Sequence, residues 1–187
     1  MTFAKLGLPL AAFCVALNGQ AGATDTVVVP QDTTACSFRA WAADPDPQGL
    51  NVRSAPNLKA SVLGHYIWRK NADAGNFVEF NVKGFRDGWF LIDGGSYGDY
   101  GDAPSEAPYG GRGWVHGSRI AGQLMGLTHG LRVAPDAKAP ETPLGKAPDA
   151  VVVKKLLACK GEWVKIEADV GAGWVAGLCS NQVTTCP

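Results

Sequence analysis

The sequence predicts an all-β protein with short strands and many turns, and three observations lead to this class. The chain has 187 residues, of which 24 are glycine and 12 are proline, a content that favours turns over long helices. Apolar and polar residues alternate in several short stretches, as they do in half-buried strands. One pattern of strands and turns also occurs twice along the chain. Hydrophobic residues make up 46% of the sequence, which is enough to form a core.

The first segment is typical of a secretory signal peptide, which we assign to residues 1–23. A lysine precedes an apolar run from Leu6 to Leu17, and small residues follow up to Ala23. The run is too short to cross a bilayer, which needs about 20 apolar residues. We therefore expect an exported protein, periplasmic or secreted, without a transmembrane anchor. Residues 24–35 are predicted to form a flexible leader.

The charge balance excludes one class of partner. The chain has 17 Lys and Arg residues against 17 Asp and Glu residues, so its formal net charge is zero. Without a basic excess, binding to nucleic acid through bulk neutralisation of phosphates is not expected. The same balance provides no positive field for the capture of anionic wall polymers. Aromatic and hydrogen-bonded contacts are therefore the expected basis of binding.

Four cysteines follow the signal peptide, and an even number in an exported chain predicts two disulfides. They are Cys36, Cys159, Cys179 and Cys186. Their spacing matches no zinc motif, so no metal site is predicted. A hairpin predicted over residues 163–177 would bring Cys179 close to Cys159, which favours the pairs Cys159–Cys179 and Cys36–Cys186. The alternative is a local Cys179–Cys186 loop together with Cys36–Cys159.

Two copies of one small β unit account for the repeated pattern. Asn51 to Pro56 align without gaps with Gly130 to Pro135, and this alignment matches Arg53 with Arg132 in the sequence. Two further segments repeat in the same order: residues 86–92 match 160–166, and Gly113-Trp114-Val115 matches Gly173-Trp174-Val175. The Asp87-Gly88 dipeptide in the first copy is a hairpin signal. The four tryptophans of these segments, Trp89, Trp114, Trp163 and Trp174, are expected to supply core volume.

The first copy resembles a bacterial SH3-type (SH3b) domain. The resemblance is carried by Leu-Asn-Val-Arg-Ser-Ala-Pro at 50–56, Val-Leu-Gly at 62–64, Asp-Gly-Trp at 87–89 and Gly-Trp-Val at 113–115. It covers about residues 36–122 and, more weakly, 128–179. The resemblance implies two small SH3-like β-barrels in tandem after the signal peptide. The first would span 36–122 with a long Gly/Tyr loop at 94–111, and the second would span 123–187 with a disulfide-bearing tail.

The resemblance also implies a binding module, and aromatic residues that the barrel does not need are its candidate contacts. Amphipathic aromatic side chains on loops offer contact area to peptides and glycans at a low entropic cost. The candidates are Tyr66, Trp68, Tyr97, Tyr100 and Tyr109, together with Arg53. The alternative is that the tyrosines pack down and stabilise the loop.

No catalytic motif stands out, and we predict a protein without enzymatic activity or cofactors. The chain has three histidines, and it contains neither a Gly-x-Ser-x-Gly nucleophile motif nor a His-Glu-x-x-His metal motif. The predicted function is binding of a cell-wall glycan or peptide, or of an envelope protein. The alternative is an accessory or inhibitory protein that acts on a secreted cell-wall hydrolase.

Overall fold

The computed structural model describes residues 26–67, 78–97, 107–125, 130–143 and 150–180. In these ranges the chain forms β-strands and one short 3₁₀ helix, arranged in two antiparallel sheets, which confirms the all-β class. Neither sheet closes into a barrel within the described ranges. No helix of this part of the chain is long and apolar enough to span a membrane. The predicted signal peptide lies outside the described residues.

The first sheet contains seven strands. Their bounds are β1 Thr34–Ala42, β2 Leu50–Arg53, β3 Val62–Tyr66, β4 Val78–Arg86, β5 Trp89–Tyr97, β6 Gly113–His116 and β7 Ile120–Ala121. Their spatial order is β3-β2-β6-β5-β4-β1-β7. A single 3₁₀ turn, η1 (Gly117–Arg119), joins β6 to β7. The strand β3 therefore lies at one edge of the sheet.

The second sheet contains six strands. Their bounds are β8 Gln123–Met125, β9 Leu131–Arg132, β10 Glu141–Thr142, β11 Ala150–Lys160, β12 Trp163–Ala168 and β13 Gly171–Val175. Their spatial order is β10-β9-β13-β12-β11-β8. The boundary expected at residue 122 falls between β7, the last strand of the first sheet, and β8, the first strand of the second.

Five neighbouring strands follow the same order in both sheets. The run β3-β2-β6-β5-β4 in the first sheet corresponds to β10-β9-β13-β12-β11 in the second. Residues that align in the sequence also form matching cross-strand pairs: Arg53 with Trp114 and Arg132 with Trp174, Phe90 with Val115 and Val164 with Val175. Aligned residues therefore occupy matching positions in the two sheets.

The turn between β4 and β5 has the geometry that its sequence predicts. Arg86 pairs with Trp89 across a two-residue loop, and both loop residues have positive φ, 48° at Asp87 and 83° at Gly88. Such a type I′ turn matches the right-handed twist of the strands that it joins, and Asp-Gly is among the dipeptides that form it most easily. The predicted hairpin is confirmed.

Alternation along the strands sends side chains to two faces of the first sheet. The inner face belongs to one hydrophobic core that both sheets share, with Val52, Phe80 and Phe90 from the first sheet and Leu156 and Ile166 from the second among its members. The outer face carries a smaller buried cluster of Trp89, Leu91 and Trp114. Two of the four repeat tryptophans are thus buried on the outer face, whereas Trp163 and Trp174 are only half-buried.

The segment that precedes β1 differs from the flexible leader expected from the sequence. Val27 packs against the outer-face tryptophan cluster. The backbone N–H of Val28 donates to the carbonyl of Ser54 at 2.8 Å, and the Val28 carbonyl accepts from Nε1 of Trp114 at 2.9 Å. A buried indole N–H requires such a partner. The segment therefore covers part of the outer face of the first sheet.

A disulfide joins the two sheets, and it corrects the favoured pairing. Cys36 of β1 is bonded to Cys159 of β11, with their Cα atoms 5.8 Å apart. The Cys159–Cys179 pair favoured from the sequence is wrong, because the tip of the β11–β12 hairpin meets β1: Gly161 exchanges backbone hydrogen bonds with Ala35 and Ser37. Cys179 is carried to β8 instead, where its backbone pairs with Gln123.

The second disulfide is described only in part. Cys179 is disulfide-bonded, and Cys186 lies outside the described residues. Because Cys36 and Cys159 bond to each other, the observed bond agrees with the alternative connectivity rather than with the favoured one.

A buried carboxylate makes a second link between the sheets. Glu79 of β4 is buried, and its Oε2 accepts from Oγ of Ser180 at 3.0 Å and pairs with Nη2 of Arg39 at 3.2 Å. A carboxylate removed from water requires such charge-assisted partners. Ser180 follows β13, so the bond holds the end of the second sheet against β4.

Replacing both cysteines of the inter-sheet disulfide tests its contribution to stability. The Cys36→Ala/Cys159→Ala double variant should lose about 2–5 kcal/mol of unfolding free energy, because the cross-link restricts the unfolded chain over a long loop. Urea denaturation under non-reducing conditions measures the loss. A loss below about 1 kcal/mol would show that the shared core alone holds the sheets together.

The close approach of β2 and β6 provides a second test. A methyl group at Gly113 would overlap Cγ1 of Val52, whereas one at Gly110 would meet its nearest atom only at 3.9 Å. Gly113→Ala should therefore destabilise the protein by about 1–3 kcal/mol through overpacking. The matched control Gly110→Ala should change the unfolding free energy by less than about 0.5 kcal/mol. Equal effects of the two variants would contradict the described packing.

Candidate ligand-binding groove

Tyr66, a candidate contact residue, is part of the core. It is 1% exposed and stacks on Phe80, with ring centroids 5.4 Å apart. Burial raises the pKa of the Tyr66 phenol above its usual range, so the hydroxyl stays protonated. Among the described residues this hydroxyl has no hydrogen-bond partner. The inward direction of Tyr66 follows from its pairing with Leu50, another core residue.

The other described tyrosines pack onto the first sheet. Tyr109 lies so close to Gly64 that a methyl group there would be 2.6 Å from the tyrosine Cγ, and its hydroxyl donates to the carbonyl of Arg112 at 3.0 Å. Tyr97, at the end of β5, packs partly buried against the shared core. These contacts favour the packing alternative for Tyr66, Tyr97 and Tyr109. Trp68 and Tyr100 lie outside the described residues.

A groove on the outer face of the first sheet brings together a different set of residues. Its volume is about 370 Å³, within the range of small-molecule and peptide pockets. It is lined by Asp44, Leu50, Asn51, Arg53, Leu58, Trp89, His116, Ser118 and Arg119. Of the contact residues predicted from the sequence, only Arg53 belongs to this set.

Strand alternation places Asn51, Arg53, Trp89 and His116 on one face, whereas Leu50 is a core residue that borders the groove. Asn51 and Arg53 alternate with the core residues of β2, and Trp89 lies opposite His116 across β5 and β6. The rings of Trp89 and His116 meet edge to face, with centroids 5.2 Å apart. The sequence predicts core volume alone for Trp89, and the structure shows that its side chain also lines the groove.

His116 and Ser118 form a local pair at the groove wall. The Ser118 hydroxyl lies 2.8 Å from Nδ1 of His116, and the backbone N–H of Ser118 donates to the same nitrogen at 3.4 Å. With Nδ1 as the acceptor, the histidine caps η1, which satisfies an N–H that the short helix leaves free. The pair therefore holds the imidazole in one orientation beside Trp89.

Two arginines contribute positive charge to the groove. Nη1 of Arg119 lies 3.6 Å from Oδ1 of Asp44, a loose ion pair in which the arginine is half exposed. Arg53 is half-buried, and its Nη1 donates to the carbonyl of Ala60 at 2.9 Å. One carboxylate thus faces two guanidinium groups, so the groove is positive in a protein with zero net charge.

The groove is also lined by an exposed apolar side chain, that of Leu58. Leu58 is 75% exposed, the highest value among the large hydrophobic residues described as exposed. Together with the edge of Trp89, it gives the groove an apolar side next to its donors. This combination is suited to a ligand that presents both a polar group and an apolar one.

The sequence contained one usable signal for this groove. Once β2, β5 and β6 are assigned as neighbours, the period of two places Asn51, Arg53, Trp89 and His116 on one face. The contributions of Asp44, Leu58 and Arg119 come from connecting segments, and no local pattern indicates that these meet. Among the described residues, no group of three or more His, Cys, Asp or Glu side chains is placed to hold a metal ion.

Comparisons with protein-family models, with curated proteins and with solved structures found no match to this chain. Its function must therefore be inferred from the groove and from the relation between the two sheets.

Removing the buried hydroxyl of Tyr66 separates a core role from a ligand-binding role. Tyr66→Phe should raise the unfolding free energy by about 1–3 kcal/mol, because a buried polar group without a partner is removed while the ring stays in place. Chemical denaturation measures this change. A loss of stability would mean that the hydroxyl has a partner, which would contradict the core environment described above.

Proposed function

We propose that this protein is an exported, non-catalytic binding module that recognises a cell-envelope component, either peptidoglycan or a peptide, or a partner protein. In this proposal the two sheets derive from two SH3-like units in tandem, and the outer-face groove of the first unit is the ligand site. The shared strand order and matching registers support the tandem interpretation. The Cys36–Cys159 disulfide is compatible with an oxidising compartment.

The contacts that support the groove occur in both sheets. Nη1 of Arg53 donates to the carbonyl of Ala60 at 2.9 Å, and Nη1 of Arg132 donates to the carbonyl of Ala139 at 2.8 Å. The loops between these residues also share their turn bonds, since Asn57 and Asp136 each accept from the N–H two residues later. These duplicated contacts belong to the scaffold.

Part of the groove lining, in contrast, has no counterpart in the second sheet, and this observation carries the proposal. Four polar or large lining residues are replaced at the matching positions of the second sheet: Asn51 by Gly130, Leu58 by Ala137, His116 by Ala176 and Ser118 by Leu178. Side chains needed only for the fold would be expected in both copies. The difference supports a binding role that the first copy performs and the second does not.

The chemistry of the lining fits fragments of an envelope polymer or peptide. An amide, a hydroxyl and an arginine supply hydrogen bonds, while Trp89 and Leu58 supply apolar contact. A secreted hydrolase that presents a surface loop would meet the same groups. Binding to such an enzyme is therefore the alternative outcome of the experiment below.

Retention on purified envelope material tests the proposed function. The mature protein should be retained by purified peptidoglycan or by an envelope extract, and Leu58→Ala should reduce the retained fraction several-fold because it removes the exposed apolar contact at the rim. Val133→Ala is the matched control, since Val133 is 60% exposed and directly follows β9 of the second sheet. This control should bind like the wild type.

Three results would count against parts of the proposal. No retention of the wild type by either material would contradict envelope binding. Equal retention of Leu58→Ala and wild type would place the site elsewhere. Co-purification with a secreted hydrolase, lost in Leu58→Ala, would favour the accessory role.

A further inference from the structure

The two matching arginines differ in one partner. Arg132 of β9 lies opposite Glu141 of β10, and its Nη2 pairs with Oε1 of that glutamate at 2.7 Å. Arg53 of β2 lies opposite Val62 of β3, directly after a shift of register between Val52 and Arg53 that the β9–β10 pair lacks. The valine thus occupies the position from which the second sheet supplies a carboxylate.

The missing carboxylate leaves the Arg53 guanidinium incompletely paired. Its Nη1 makes the same bond to a loop carbonyl as Arg132 does, yet among the described residues no carboxylate lies within ion-pair distance of Arg53. A guanidinium has five N–H donors and favours bidentate pairing with a carboxylate. Among the contacts of the described residues, the half-buried Arg53 therefore uses one donor, and it lines the groove with the others available.

We infer that the groove binds a side-chain carboxylate of an extended acidic peptide, which pairs with Arg53 as Glu141 pairs with Arg132. The inference rests on the proposed function, because it uses the same groove, and it names the chemistry of the ligand. In the second sheet the carboxylate belongs to an extended segment and comes from a glutamate side chain. The ligand thus supplies to Arg53 the carboxylate that Glu141 supplies to Arg132 within the second sheet.

Other groups in the groove favour a carboxylate over a doubly charged anion. Asp44 lies in the same groove, and its own negative charge opposes a second negative charge on the ligand. Leu58 and Trp89 offer apolar area beside Arg53, which suits an apolar residue next to the acidic one. The Asn51 amide lies on β2 two residues before Arg53 and on the same face, where it can bond to the ligand backbone.

The inference is tested with capped peptides on the full mature protein. The probe is acetyl-Ala-Glu-Leu-amide, and its binding is followed by NMR titration of the backbone and side-chain N–H signals. The glutamine analogue should bind at least about tenfold more weakly, since a charge-assisted pair is lost. Two competing anions are compared with the probe. One is the glutamine analogue with a free C-terminal carboxylate, and the other is inorganic phosphate. Both should bind more weakly than the probe.

One substitution gives the first sheet the carboxylate of the second. Val62→Glu should pair with Arg53 internally and weaken probe binding at least about tenfold, and Arg53→Gln should weaken it to a similar extent. Val62 is 40% exposed, so the glutamate is tolerated. Val133→Glu adds the same charge directly after β9, away from the groove, and should bind the probe within about twofold of the wild type.

The outcomes separate this inference from the proposed function. Equal binding of the glutamate and glutamine peptides, or unchanged binding by Val62→Glu, would overturn the inference even if wild type is retained on envelope material. Preference for the free C-terminus or for phosphate would overturn the side-chain assignment. Probe binding without any retention on envelope material would support the carboxylate site and contradict the envelope role.

Discussion

A single hydrophobic core shared by two sheets is the constraint on which the rest of the structure depends. Each sheet is apolar on one face, and that face has to be buried against another element. The long strand β11 packs against β1, β4 and β7, so the inner face of each sheet is covered by the other. The Cys36–Cys159 disulfide and the Glu79–Ser180 bond join the sheets around this core. Since the inner faces are occupied, a ligand can be received only on an outer face or at an edge.

The two outer faces differ in what covers them and in how their matching arginines are paired. On the first sheet, the segment before β1 covers the Trp114 side of the face, and the uncovered remainder is the groove. On the second sheet, the cross-strand neighbour of the arginine is an acidic residue, so that the guanidinium is satisfied within the chain. The same contact, from an arginine to a loop carbonyl, thus occurs in both sheets, and among the described residues only Arg132 also has a carboxylate partner. This difference is the physical basis for proposing that the first sheet binds the ligand.

The sequence predicted local features such as turns correctly. It did not predict features that depend on strand register or on contacts between segments distant in the chain. The Asp87-Gly88 turn was predictable because a two-residue loop with positive φ at both positions has few suitable sequences. The disulfide was mispredicted because the partner of Cys159 is set by the place where the β11–β12 hairpin tip meets β1, which no local pattern encodes. The sequence predicts a surface contact at Tyr66, but the side chain points into the core. Its direction is set by the pairing of Tyr66 with Leu50, which no local pattern shows. The groove was not predicted either, because Leu58 and Arg119 belong to two separate connecting segments that meet only in the folded chain.

The central claim is that ligand binding belongs to the outer face of the first sheet and not to the matching face of the second. The indole N–H signals of Trp89 and Trp163 report on these two faces, because the residues occupy matching positions in β5 and β12. In an NMR titration of the full mature protein with soluble peptidoglycan fragments, we expect a saturable shift of the Trp89 signal while the Trp163 signal stays unchanged. A shift of Trp163 alone, or equal shifts of both signals, would contradict the claim.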